Sequence, residues 1–210
     1  MEKLCSLASK AQSLLNTTRA VDFLGPLALR VYLAPIFILA GWGKLKDLES
    51  TAYYFSKYLG LPFPDLMAFL AGTTEFFGGI ALLIGIATRW ISLPLMITML
   101  VAAVTAHWVN GWHALPETTL TVPWEWRMDL IEGAQERKEI AKTILSEHGN
   151  INWLTETGNF TILKNGIEFA ATYFIMLLVL FFNGAGKASV DYFISKKFNV
   201  VYTSSFRYKT

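Results

Sequence analysis

Cysteine and charge are both scarce in this sequence. Its 210 residues include one cysteine, Cys5, which excludes an internal disulfide framework, a Cys-x-x-C redox pair and a cysteine metal cage. Charged residues make up 16% of the chain, against about 25% in an average soluble domain. The formal net charge of +2 is too small to indicate nucleic-acid binding. Together with 53% hydrophobic residues, these shortages predict a polytopic membrane protein.

Four apolar stretches are each about long enough to cross a ~30 Å hydrocarbon core as a helix. They cover residues 24–43, 66–86, 90–112 and 167–184. Their hydrophobicity is continuous rather than alternating, which favours helices over a closed β-barrel. We therefore predict an all-α fold, a four-helix transmembrane bundle that forms a single domain over residues 1–210.

Two segments outside these stretches have the apolar spacing of amphipathic helices. Residues 1–20 carry an apolar stripe with basic residues beside it, which predicts an N-terminal interfacial helix. The polar insertion 114–164 holds half of the acidic residues. Within it, the spacing predicts an extramembrane helix over 126–148.

The distribution of lysine and arginine predicts the orientation of the chain. Four spans place both termini on one side of the membrane, and this side has more basic residues close to span ends. Basic residues near span ends favour the cytoplasm. We therefore expect cytoplasmic termini and an acidic loop that faces the cell exterior, where it offers a docking surface for a soluble or peptide partner.

Two ionisable residues fall well inside the first two predicted spans. At 1.5 Å per residue, Arg30 lies about 9 Å from one end of its span and Glu75 about 13 Å from the opposite surface. A charge at such depth costs roughly 2.5–3.5 kcal/mol unless it is paired. We predict an Arg30–Glu75 ion pair, which serves either a polar substrate or cofactor site or the helix register alone.

A second group of polar residues falls at the outer ends of the predicted helices. It comprises Lys44, His107, His113 and Glu168. An acid, a base and an imidazole in one place suit the binding of an anion, proton transfer or contact with a quinone head group. The alternative is that the lysine and the glutamate only extend towards the membrane interface.

One helical stripe also raises the possibility of a metal site. Met96, Met99 and His107 share a face of the third span, and thioether and imidazole ligands suit a soft ion such as Cu(I). The alternative is that the two methionines pack in the core. A lone histidine in this helix is not the pair that haem usually requires, and no covalently bound cofactor is indicated.

The sequence resembles the DoxX family of small four-helix membrane proteins. The resemblance lies in R-x(10)-G-x-x-K, from Arg30 to Lys44, and in E-x-x-G-G-x-x-L-L-x-G-x-x-T-R, from Glu75 to Arg89. It also includes His107 and covers residues 24–113 best. It implies a bacterial inner-membrane protein, in some relatives a subunit of a thiosulfate:quinone oxidoreductase.

The later stretch, from Glu147 through the last predicted span, resembles the HvfX subgroup of this family. That resemblance implies a link to operons for copper-binding peptides, the bufferins. The first hypothesis is therefore a quinone-linked oxidoreductase or its accessory subunit, with Glu75 and His107 in catalysis and Arg30, Lys44 and Glu168 in substrate binding. The alternatives are a non-enzymatic partner in maturation or export of copper-binding peptides, and a structural bundle without a site.

Overall fold

The computed structural model describes residues 1–115 and 122–198, and every regular element in these two ranges is helical. The prediction of an all-α membrane bundle is confirmed for this part of the chain. The α-helices are α1 (Glu2–Thr17), α2 (Leu24–Lys46), α3 (Leu48–Lys57), α4 (Pro64–Ile84), α5 (Thr88–Ala102), α6 (Met128–His148), α7 (Ile151–Leu154), α8 (Glu168–Asn183) and α9 (Val190–Phe198).

Among the residues that the structure describes, three helices are long and apolar enough to cross a membrane. They are α2, α4 and a continuous helix over residues 88–110, in which α5 passes into a π-helical turn (Ala103–His107) and a 3₁₀ turn (Trp108–Asn110). The fourth predicted span, α8, has 16 residues and extends about 24 Å. It packs against α5 and completes the bundle.

The centre of the bundle is a cluster of large apolar side chains from all four of these helices. Its buried members are Leu33, Phe37, Leu82, Leu95, Met96, Met99, Leu177 and Leu180. Other large apolar side chains of the same helices, such as Leu39, Ile97 and Ile175, point outward and are more than half exposed. An apolar exterior on helices of this length indicates a lipid bilayer as the surroundings.

Close packing at glycines sets the register between α2 and α4. A Cβ atom at Gly41 would overlap the backbone nitrogen of Phe76 and lie 2.7 Å from the carbonyl oxygen of Gly72. A Cβ atom at Gly79 would lie 2.9 Å from the carbonyl oxygen of Ala34. Because only small residues permit such an approach, these contacts fix how far one helix is displaced along the other.

The polar insertion is attached to the outer end of the third span. The indole nitrogen of Trp126 donates to the carbonyl oxygen of Trp108 at 3.2 Å, and the two rings lie 4.8 Å apart. Where the chain leaves the insertion, the backbone nitrogen of Lys164 donates to the carbonyl oxygen of Ala114 at 2.9 Å. The predicted helix over 126–148 is present as α6. Helices α3 and α9 were not predicted.

Candidate functional site

The ion pair inside the membrane-spanning part of the bundle joins Lys44 of α2 to Glu75 of α4. The ammonium nitrogen lies 2.5 Å from Oε2 of Glu75. The glutamate side chain is 6% exposed, whereas the lysine side chain is 27% exposed. Glu75 lies about 16 Å along α4 from its start at Pro64 and at the level of Gly41 in α2, so the carboxylate is inside the bundle and its lysine partner is the more exposed of the two.

The glycine contacts explain why Lys44 reaches this carboxylate. Gly41 lies against Gly72 and Phe76, so Lys44, one turn further along α2, also lies close to Gly72. A methyl group added to Gly72 would be 3.3 Å from the Cβ atom of Lys44. From there the lysine stem extends along α4 to Glu75. The pair binds only one carboxylate oxygen, and no hydrogen bond from a described residue reaches Oε1 of Glu75.

The predicted Arg30–Glu75 pair is wrong. The guanidinium of Arg30 is fully buried and donates to the carbonyl oxygens of Leu82 at 3.2 Å and Ala188 at 2.6 Å. Leu82 lies two turns beyond Glu75 along α4, about 10 Å away. The depth estimate failed because it placed both spans between the same planes, whereas α4 begins at Pro64, beyond the level at which α2 ends.

Arg30 instead holds together the end of the bundle that carries the termini. Its carbonyl acceptors lie on the last turn of α4 and on the segment that precedes α9. Close by, the carboxylate of Asp191 accepts from the backbone nitrogens of Ala87 at 2.7 Å and Thr88 at 2.9 Å. These bonds satisfy amides at the start of α5, which otherwise have no partner within the helix. These contacts tie Arg30 to α4 and to the segment before α9.

At the opposite end of the bundle, Glu125 is the centre of a buried polar network. Its Oε2 accepts from the ammonium of Lys164 at 2.7 Å, from Nδ1 of His113 at 2.8 Å and from the backbone nitrogen of His113 at 3.1 Å. Its Oε1 accepts from the backbone nitrogens of Trp112 and Arg127. The side chains of Glu125, His113 and Lys164 are between 0% and 3% exposed. The network therefore joins the third span, the insertion and the approach to α8.

The surroundings of Glu125 keep it ionised. Burial by itself raises the pKa of this carboxyl, but the hydrogen bonds from the side chains of Lys164 and His113 and from the backbone of His113 and Arg127 outweigh burial. The pKa of Glu125 therefore lies well below its usual range. Because protein donors surround both oxygens of Glu125, this carboxylate stabilises the fold and is not accessible to a substrate.

His107 lies in the π-helical turn at the end of α5, a feature that is frequent at functional sites. Its Nδ1 is 2.9 Å from the carbonyl oxygen of Asn165, which also accepts from the amide of Asn110. A carbonyl oxygen only accepts, so Nδ1 carries a proton. In the neutral ring, Nε2 is then the basic nitrogen, which suits a proton acceptor or a metal ligand.

Of the predicted cluster of Lys44, His107, His113 and Glu168, the contacts separate the lysine from the other three, which lie where residues 107–114 meet residues 164–168. Lys44 binds Glu75, and His113 binds Glu125. Glu168, at the start of α8, accepts from the backbone nitrogen of Ala114 at 2.9 Å. Glu168 therefore lies beside His113, whereas Lys44 extends along α4. Depth alone does not show which way a side chain points.

The residues of the predicted copper stripe also have separate surroundings. Met96 and Met99 belong to the apolar core, whereas the ring of His107 bonds to the loop before α8. Within residues 1–115 and 122–198, no group of three or more His, Cys, Asp or Glu side chains is arranged to hold a metal ion. Copper binding stays a prediction.

Residues 25–108 match the DoxX family model. The matched segment contains α2, the Lys44–Glu75 pair, the α4–α5 turn and His107. A curated protein of Bacillus subtilis (strain 168), named "Putative oxidoreductase CatD", is 33% identical over 82 residues, which are 39% of this chain and 59% of that protein. No solved structure matches. These comparisons support a membrane protein of DoxX type, whereas the HvfX and bufferin links stay predictions.

Within the DoxX segment, the resemblance motifs fall at two places in the bundle. Arg30, Thr88 and Arg89 hold the end near the termini, where Nε of Arg89 donates to the carbonyl oxygen of Phe181 at 2.8 Å. Lys44 and Glu75 form the polar pair inside the bundle. The segment ends before Glu125, so the outer network lies outside the matched range.

Sequence reasoning missed Glu125, Lys164 and Asp191 as site-forming residues. Glu125 is 12 residues from His113 and 39 from Lys164, and Asp191 is 104 residues from Ala87, so no helical or strand period links them. The only available signal was a lone acid between two tryptophans, Trp124 and Trp126, in a polar loop. An open cleft of about 470 Å³ beside α7 contains none of these residues and none of the predicted site residues.

Proposed function

We propose that this DoxX-type chain is a quinone-linked membrane redox protein, either an oxidoreductase or the accessory subunit of one. The observation that carries the proposal is the Lys44–Glu75 pair, which is buried among membrane-spanning helices and has one carboxylate oxygen without a hydrogen bond from a described residue. Intramembrane ionisable residues mark substrate and proton pathways. The name of the Bacillus subtilis relative, "Putative oxidoreductase CatD", supports the same class of reaction.

The pair has the two functions that a quinone head group needs. The ammonium of Lys44 donates a hydrogen bond to a quinone oxygen, and the carboxylate of Glu75 exchanges a proton with the hydroxyl of the reduced form. The Lys44 side chain is 27% exposed, which leaves a way for a flat ring to approach the pair. His107 supplies a second proton acceptor nearer the outer end. Electrons come from a second bound substrate or from a partner subunit.

The same proposal places the chain in the bacterial inner membrane with both termini in the cytoplasm. Lys196 and Lys197 follow the last span on the termini side, and Arg89 lies in the hairpin on that side. Basic residues close to span ends favour the cytoplasmic face. The insertion that contains Glu125 then faces the exterior.

The experiment measures quinone binding before turnover, because binding needs no electron donor. Full-length protein in nanodiscs is titrated with decylubiquinone, and quenching of tryptophan fluorescence gives the Kd. The variants are Glu75→Gln, Lys44→Met and the double variant, with Glu132→Gln on the exposed face of α6 as a control. The double variant matters because it removes both charges together and leaves no unpaired ion to unfold the bundle.

We expect the double variant to keep its thermal stability and to bind decylubiquinone at least about tenfold more weakly, which corresponds to the loss of one charged hydrogen bond of about 1.5 kcal/mol. Reduction of ubiquinone or menaquinone in proteoliposomes should fall in Glu75→Gln and His107→Ala. A Kd that is equal in wild type and double variant contradicts the proposed site, and equal turnover in wild type and both single variants contradicts the proposed chemistry.

A further inference from the structure

The short helix after the last span, α9, has an exposed face that combines apolar and basic side chains. Phe193 and Phe198 are 67% and 65% exposed, and Ile194 is 43% exposed. Lys196 and Lys197 are exposed beside them, and the ammonium of Lys197 lies 5.8 Å from the centre of the Phe198 ring. Large exposed aromatic side chains next to lysines are unusual on a surface that faces only water.

The orientation of this face is fixed by the one acid of α9. Asp191 points inward, where its carboxylate accepts from the backbone nitrogens of Ala87 and Thr88. Its own backbone nitrogen donates to the carbonyl oxygen of Gly85 at 2.9 Å. Helix α9 therefore begins against the α4–α5 turn, at the level where the spans end, and its outward face has no acidic residue.

Helix α1, which precedes the first span, carries a similar exposed apolar stripe. Its leucines are between 61% and 78% exposed, and they are Leu4, Leu7, Leu14 and Leu15. At 100° per residue they fall on one side of the helix, and Ser9 and Ser13 fall on the other. Since α2 begins at Leu24, α1 is attached to the same end of the bundle as α9. The same end thus presents two amphipathic helices.

We propose that α9, together with α1, binds the anionic phospholipid surface at the termini-side end of the bundle. The phenyl and leucine side chains enter the boundary between head groups and acyl chains, and Lys196 and Lys197 contact lipid phosphates. The occupant is lipid because the face is apolar and basic, has no acid, and is continuous with the ends of the membrane-spanning helices. The proposal is independent of quinone chemistry.

The test measures the depth of α9 in full-length protein. Phe193→Cys is introduced in a Cys5→Ser background, so that a nitroxide label has one attachment site, and the protein is placed in nanodiscs of phosphatidylcholine with or without phosphatidylglycerol. Electron paramagnetic resonance then compares collisions of the label with oxygen and with a water-soluble nickel chelate. The charge variant is Lys196→Gln/Lys197→Gln, and the matched control is Lys138→Gln/Lys142→Gln on α6.

We expect phosphatidylglycerol to lower the collisions of the label with the nickel chelate severalfold. The double variant Lys196→Gln/Lys197→Gln should abolish that change, whereas the α6 control should not. A label that is accessible to the nickel chelate in both lipid mixtures overturns the proposal. Protection of the label from nickel that is the same in both lipid mixtures, and the same in the wild type and the double variant, also overturns it. Protection that appears in detergent and rises with protein concentration identifies a second copy of the chain as the occupant, which also overturns it.

Discussion

Two buried glutamates of this chain have opposite surroundings, Glu75 inside the bundle and Glu125 at its outer end. Glu125 accepts hydrogen bonds on both oxygens, from the side chains of His113 and Lys164 and from several backbone amides. Glu75 is bound by Lys44 through one oxygen. Burial alone therefore does not mark a functional carboxylate. An enclosed, fully bonded acid stabilises the fold, whereas an acid with a vacant oxygen can still exchange a proton or bind a ligand.

The largest effect is expected for Glu125→Ala, because it leaves Lys164 buried without its partner. Breaking a buried ion pair on one side costs about 3–5 kcal/mol. The free energy of unfolding, measured by denaturant titration in detergent, should fall by that amount. Asp129→Asn, an exposed acid of α6, is the control and should change little. A loss for Glu125→Ala no larger than that of the control would remove the basis for calling the network structural.

Acid should weaken the same network in the wild type. The pKa of Glu125 is lowered from 4.5, so its ionised form stabilises the folded state above about that pH. This stabilisation is lost as the pH falls from about 4.5 towards the lower folded-state pKa. Unfolding measured from pH 7 to pH 3 should show a steeper loss in the wild type than in Glu125→Gln. Parallel curves would contradict the assigned cause.

The Lys44–Glu75 pair should give a smaller effect than Glu125, since the Lys44 side chain is 27% exposed and one oxygen of Glu75 receives no hydrogen bond from a described residue. We expect Lys44→Met to destabilise by about 1–3 kcal/mol, the usual cost of an unmet buried polar group, and the double variant with Glu75→Gln to recover most of it. The double-mutant cycle of unfolding free energies measures the coupling. Additive losses would mean that the two charges do not interact.

The spans could be predicted from the sequence because a lipid interior allows few alternatives. Backbone groups in hydrocarbon must be bonded within a helix, and length then follows from membrane thickness. Helix α3 was not predicted because it has only ten residues, of which Ala52 and Phe55 are buried. A short amphipathic helix has neither the length nor the hydropathy that identifies a span.

The candidate site was predicted only in part, for a reason that Arg30 illustrates. Its type and depth correctly indicated a buried, bonded side chain, but backbone carbonyl oxygens rather than Glu75 accept hydrogen bonds from its two terminal nitrogens. The choice between the two depends on the displacement between α2 and α4, which the contacts of Gly41 and Gly79 determine. Hydropathy is insensitive to a shift of one or two turns.

Gly41→Ala tests that displacement directly. The added methyl group would overlap the backbone nitrogen of Phe76, and overpacking of this kind costs typically about 1–3 kcal/mol. Gly43→Ala is the control on the same helix, since nothing lies within 4 Å of its added methyl group, and it should be neutral or slightly stabilising. Unfolding in a mixed-detergent titration measures both. Equal results for the two variants would show that α2 and α4 are not in close contact at Gly41.

The smallest effect is expected for the exposed pair formed by Lys187 and Asp22, which lie 2.9 Å apart with side chains 52% and 43% exposed. Water and salt screen such a pair, and its coupling energy is typically below about 1 kcal/mol. A double-mutant cycle with Lys187→Gln and Asp22→Asn should give a value well under that of Lys44–Glu75 and should lose it in high salt. A coupling as large as that of the buried pair would mean that partner geometry, rather than exclusion of water, determines the strength of ion pairs in this bundle.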